Sequence, residues 1–283
     1  MQATGGTRVQ LQLFVQARAS GQASSDQQNQ LGKADSAMTL RRDDFAAKGF
    51  LSPEIETERN LLREKLAESI AAVEAASDRV TARSFAADVS QFTEHEILAF
   101  SLWLRCLGAC QGGMLLAERG MASEALVLVR SGFEFLFFGA ALLVEPRIFA
   151  SLANGHDFER RKQARDMIRA GSEAGHLTEE QIALLREVEE EGASTKAPIS
   201  AFDAAETSGL GFLYASAYRG LSMMASHATI AGTDSVLETQ PDGTIKAVFG
   251  PSMSNVQFAL GLIQRCLETA EAHFAPLLGA PAH

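Results

Sequence analysis

The stretch Met121–Val144, MASEALVLVRSGFEFLFFGAALLV, constrains this chain more than any other. Leu126, Val127, Leu128 and Val129 run together, and Phe133, Phe135, Leu136, Phe137 and Phe138 follow within one further turn or two. A helix that is hydrophobic all round is buried all round, so the segment reads as a central rod surrounded by the other helices. Two charges interrupt it, Arg130 and Glu134, four residues apart and therefore on one face. Its length would span a bilayer. A charge at mid-bilayer costs at least ~2.5–3.5 kcal/mol, and no second segment reads as apolar enough to accompany it, so the expectation is a soluble core with no membrane partner.

The other elements follow from caps and periodicity. Residues 1–51 are expected to be a flexible tail, because Gln, Ser, Gly and Ala dominate 17–33 and such a composition buries too little to order itself. A single helical domain, 52–283, follows. Ser52-Pro53-Glu54 opens an amphipathic helix with Leu62, Leu66, Ile70, Val73 and Val80 on its inner stripe. Thr93-x-x-Glu96 is a capping box for a second helix, to about Glu118, and Gly120 closes it. The tight turn that follows makes this helix an antiparallel neighbour of the central rod.

Pro146 begins a fourth helix, to about Ala170 with Gly171 as its stop, and Thr178-x-x-Gln181 caps a fifth. Residues 193–208 read as a lid or mobile loop. A sixth helix, 209–230, carries both tyrosines, Tyr214 and Tyr218. Gln240-Pro241-Asp242-Gly243 turns a β-hairpin in which Glu238 faces Lys246. The last helix runs over about 254–278. The fold class is therefore all-α: about seven helices with one small β-hairpin before the C-terminal helix.

The net charge of −10 excludes a protein that coats nucleic acid or anionic membrane over its whole surface. Three cysteines make no disulfide framework and point to a reducing, cytoplasmic compartment. Cys106 and Cys110, one turn apart, could ligate a metal with Cys266, but burial as small apolar side chains is the commoner fate. His95-Glu96 and His156-Asp157 lack the Glu-x-x-His spacing of a helical di-metal site. No metal and no cofactor is expected.

Four residues form the candidate ligand-binding set: Arg130, Glu134, Tyr218 and Ser222. Desolvating an ion pair costs several kcal/mol per ion, so neighbouring helices should supply polar partners to Arg130 and Glu134. The alternatives are a pocket that presents Arg130 to an anion, or a closed network with Tyr218, Ser222 or His227. On an ideal helix Tyr218, Arg219, Ser222 and Ser226 share about a quarter of the circumference. His227 lies opposite Tyr218, so neither serine faces it as a nucleophile would face its base. The basic run Arg160–Arg169 could meet phosphates, yet a fifth helix folded back would set Glu187–Glu191 beside Arg160–Lys162 and neutralise it.

The ordered set Arg130-Ser-Gly-Phe-Glu134, His156-Asp157 with Arg160-Arg161-Lys162, and Tyr218-x-x-x-Ser222 with His227 resembles a bacterial helical family of unknown function. More distantly it is similar to the HEPN and abortive-infection group of defence proteins. The resemblance implies a homodimer, with RNA or a small anionic ligand as partner. HEPN ribonucleases use an Arg and a His of one helix for metal-free cleavage, the His moving protons while the Arg holds the phosphate. Arg219 and His227, with seven residues between them, are the nearest catalytic match. The two functions implied are a ligand-sensing or protein-interaction module in defence or stress, and a metal-independent endoribonuclease.

Overall fold

The computed structural model describes residues 45, 47–190, 199–226, 236–239, 243–247, 250–251 and 253–279. Among the described residues the chain forms α1 (Ile55–Lys65), α2 (Ala67–Phe85), α3 (Glu94–Ala117), α4 (Ala122–Val144), α5 (Ile148–Ala174), α6 (Glu179–Glu190), α7 (Ala201–Thr207), α8 (211–226), β1 (Leu237–Thr239), β2 (Ile245–Ala247) and α9 (Met253–Phe274). The all-α class holds. Two helices exceed the seven expected, because the first is broken at Leu66 into α1 and α2, and because α7 occupies part of the stretch read as a loop. The predicted stripe runs through the break unchanged: Leu62, Leu66, Ile70, Val73 and Val80 are all buried.

Caps explain most of the boundaries. The Thr93 amide and hydroxyl both donate to Glu96, at 2.8 and 2.7 Å. Thr178 and Gln181 exchange bonds of 3.0 and 3.2 Å. Ser52 accepts from the Glu54 amide at 3.1 Å. The fourth helix overruns the expected stop: α5 passes through Gly171 and ends at Gly175, which takes a left-handed φ of 65°. A glycine interior to a helix is only a modest penalty, whereas the left-handed cap needs one.

The core lies between α4 and the helices around it. α3 and α4 run antiparallel in close contact: a Cβ on Gly113 would sit 3.3 Å from Val129, and one on Gly139 would sit 3.3 Å from the Ala99 carbonyl. α9 and α2 close the other side. Trp103, fully buried, stacks on Phe274 at 5.5 Å and donates its indole N–H to Ser84 Oγ at 2.7 Å, so its one polar atom is satisfied. The rod is not buried on every side. Phe133, Leu136, Phe137 and Ala141 are fully covered, but Val127 and Val144 are exposed and Phe135 and Phe138 half-buried. Both α3 and α4 are long and apolar enough to cross a membrane by length and composition, so the central rod does have a companion of that kind; roughly half of the apolar stretch of each is buried within the bundle.

α5 and α6 form an arm that buries little; α6 buries no residue at all. Its charges largely answer one another: Arg165 meets Glu189 at 2.9 Å, Arg169 meets Asp166 at 3.0 Å and Lys162 meets Glu159 at 3.7 Å. The Arg165–Glu189 pair joins α5 to α6 through the acidic run expected to face the basic helix, while Glu191 of that run lies outside the described residues. The hairpin has the predicted register, with Glu238 opposite Lys246. Residues 1–44 of the expected tail lie outside the described residues, while Phe45 and Gly49 are buried.

Candidate functional site

The two charges of α4 face α8, which supplies their partners. Arg130 donates through Nη1 to Glu134 at 3.2 Å, through Nη2 to the Tyr218 hydroxyl at 2.7 Å and through Nε to Ser222 Oγ at 2.8 Å. The Tyr218 hydroxyl in turn donates to Glu134 Oε2 at 2.7 Å, and Ser222 donates to the Tyr218 carbonyl at 3.0 Å. The guanidinium also lies over the Tyr218 ring, 4.5 Å from its centroid, a favourable cation–π placement. All four candidate ligand-binding residues therefore converge on one spot.

The helix that brings them there is not a regular one. Residues Tyr214–Tyr218 and Ser222–Ser226 form two wide π-type turns separated by a single α turn. The uniform 100° step assumed from sequence fails here. Turns of this kind recur at functional sites, because each diverts side chains from the α-helical track. Arg219, adjacent to Tyr218, is exposed and takes no part in the network. His227 and the side chain of Ser226 lie outside the described residues.

An aromatic wall flanks the network, and sequence reasoning missed part of it. Tyr214 stacks on Tyr218 at 5.2 Å, Phe202 of α7 meets Tyr214 edge-on at 5.4 Å, and Phe137 meets Tyr218 at 5.7 Å. Phe202 was lost in the expected loop. Ser200-x-x-Asp203 caps α7 reciprocally, with the Asp203 amide donating to Ser200 Oγ at 3.1 Å, and that box was the available signal. Ala204 and Ala205 are fully buried, so α7 is a packed element rather than a lid.

Burial, then the bond to Glu134, pushes the Tyr218 phenol well above its ordinary value. A phenol held in its neutral form is a donor and is neither base nor nucleophile at neutral pH. Ser222 accepts from Arg130 and donates to the Tyr218 carbonyl, and no imidazole or carboxylate reaches it among the described residues. The site has binding capacity. A guanidinium carries five N–H donors; three serve the network, and the other two have no acceptor among the described residues. The Glu134 side chain is 38 % exposed and that of Arg130 21 %, so solvent reaches both.

Residues 96–245, from the first turn of α3 to the start of β2, match a family of unknown function, DUF5677. The chain belongs to that family. No curated protein and no solved structure matches it. The span characteristic of DUF5677 contains Arg130, Glu134, Tyr218 and Ser222, together with Cys106 and Cys110, whereas Cys266 on α9 falls beyond it.

Two carboxylates outside the network are each held by a pair of arginines. Glu118 is held by Arg59 at 2.7 Å and Arg63 at 3.1 Å, and Glu271 by Arg79 and Arg83, each at 2.9 Å. His95 is in contact with the Thr93 hydroxyl at 3.1 Å, within the cap of α3.

Proposed function

We propose that this DUF5677 member is a non-catalytic, cytoplasmic module that senses a small anionic ligand through Arg130. The supporting observation is the half-buried guanidinium, fixed from three directions by Glu134, Tyr218 and Ser222, while two donors have no acceptor among the described residues. Preorganisation removes much of the entropic cost of binding, and a charge-assisted bidentate contact suits a phosphate or carboxylate. α8, with its two π-type turns, is the element whose packing such a ligand would bias. Three free thiols accord with a reducing compartment. Membership of the bacterial defence and stress repertoire, and assembly as a homodimer, rest on the resemblance of the helical motifs.

Thermal melting in increasing inorganic phosphate, at constant ionic strength, tests the assignment. The expected result is a saturable rise in Tm for the wild-type protein that is abolished in Arg130→Gln and retained in Arg219→Ala. Equal rises in wild type and Arg130→Gln would refute it. Turnover of RNA by the purified protein, lost in both Arg219→Ala and His227→Ala, would establish the endoribonuclease reading in its place.

A further inference from the structure

The sulfurs of Cys106, Cys110 and Cys266 lie within 4.8 Å of one another, and the first and last are 3.6 Å apart. Two come from successive turns of α3 and the third from α9. The wall beside them is Gly132 of α4, where a Cβ would stand 3.5 Å from the sulfurs of both Cys110 and Cys266. All three side chains are fully buried. No His, Asp or Glu joins the cluster among the described residues.

Three convergent sulfurs without a fourth ligand match a three-coordinate ion. With metal–sulfur bonds of about 2.3 Å, three thiolates on one ion stand ~3.4 Å apart in a pyramid and ~4.0 Å apart in a plane, and the 3.6 Å between the Cys106 and Cys266 sulfurs falls in that range. Soft thiolates select soft ions. Charge then narrows the choice. Three thiolates around a monovalent ion leave two negative charges in the core and around a divalent ion one, and isolated charge in an apolar interior is heavily penalised. A trivalent ion leaves none.

We infer that Cys106, Cys110 and Cys266 form a buried site for a trivalent thiophilic ion of the arsenite class. Arsenous acid is small and uncharged at neutral pH, so its passage between helices carries no ion into the core. Three S–H bonds and three As–O bonds break, three As–S bonds form, and each thiol proton leaves with a hydroxide as water. No electron is transferred and no net proton is released.

The test is native mass spectrometry of the full, reduced chain with one equivalent of sodium arsenite under anaerobic conditions, joined to X-ray absorption at the arsenic edge. The expected species carries one arsenic less three hydrogens, with three sulfur neighbours and no oxygen, and uptake that is unchanged across neutral pH. Cys110→Ala and Cys266→Ala should each lose this species while keeping the helical circular dichroism of the parent. Should either variant fail to fold, the sulfur count on the wild-type protein decides alone. No bound arsenic, a retained As–O bond, or stoichiometric uptake of cadmium where arsenite is refused would each overturn the assignment.

Discussion

The Tyr218 hydroxyl stands between Arg130 Nη2 and Glu134 Oε2, 2.7 Å from each, accepting from one and donating to the other. One phenolic oxygen thereby connects the guanidinium to its carboxylate by a second route. Tyr218→Phe keeps the ring, its stacking and the cation–π contact, and deletes only that oxygen. A loss of ~1–2 kcal/mol in urea unfolding is expected, the usual range for a partly buried bond to a charged group. Arg130→Leu should cost a similar ~1–2 kcal/mol rather than the several that a sealed ion pair would, because the exposed part of Glu134 can recover water once unpaired.

The raised ionisation of Tyr218 makes stability fall at high pH. The folded protein holds this proton to a higher pH than the unfolded chain, in which a tyrosine titrates near ~10. Above that value the unfolded state binds fewer protons, so stability declines with rising pH until the folded phenol ionises too. Below it the full contribution is present. Ultraviolet titration of the native protein should show a late tyrosinate phase, and urea midpoints should drop above pH ~10; both features should vanish in Tyr218→Phe.

Two glycines of α4 should respond oppositely to the same added methyl. At Gly139 a Cβ would lie 2.5 Å from Phe274 Cζ and 3.3 Å from the Ala99 carbonyl oxygen, with the ring already stacked on Trp103. Gly139→Ala must therefore push α9 or α3 outward, and a destabilisation of ~1–3 kcal/mol is expected. At Gly132 the nearest atoms are at 3.5 Å, ordinary contact, so Gly132→Ala gains helix propensity of up to ~1 kcal/mol without a clash. Differential scanning calorimetry of the pair checks the difference in sign.

These positions show how much the sequence discloses. Thr93, Thr178 and the Glu238–Lys246 register were legible because capping and hairpin rules act over three or four residues. The need of Arg130 and Glu134 for polar company was legible from desolvation alone, and Tyr218 and Ser222, two of the partners offered for it, do bond Arg130. The π-type turns of α8 were not, since hydrophobic periodicity assumes one residue angle throughout. The convergence of Cys266 on Cys106 and Cys110 could be raised from the sequence only as one possibility beside separate burial. It is set by how α9 crosses α3, 160 residues earlier in the chain for the closest pair, and no local rule records a crossing.

Glu118 provides a sharper test of charge placement. It follows the last residue of α3, where a negative side chain meets the negative end of the helix dipole, and its side chain is only 5 % exposed. Arg59 and Arg63 of α1 offset both penalties by bonding one carboxylate oxygen each, at 2.7 and 3.1 Å. Each guanidinium remains about a third exposed, and each has a further carboxylate, Glu56 for Arg59 and Glu74 for Arg63. Either arginine can thus be lost while the other still neutralises Glu118, so Arg59→Ala and Arg63→Ala should each cost ~1 kcal/mol or less. Removing both strands a buried carboxylate, and the double variant should lose clearly more than the sum of the singles, by ~1–3 kcal/mol. Strict additivity in chemical denaturation would mean that Glu118 reaches water unaided and that α1 docks on α3 by apolar contact alone.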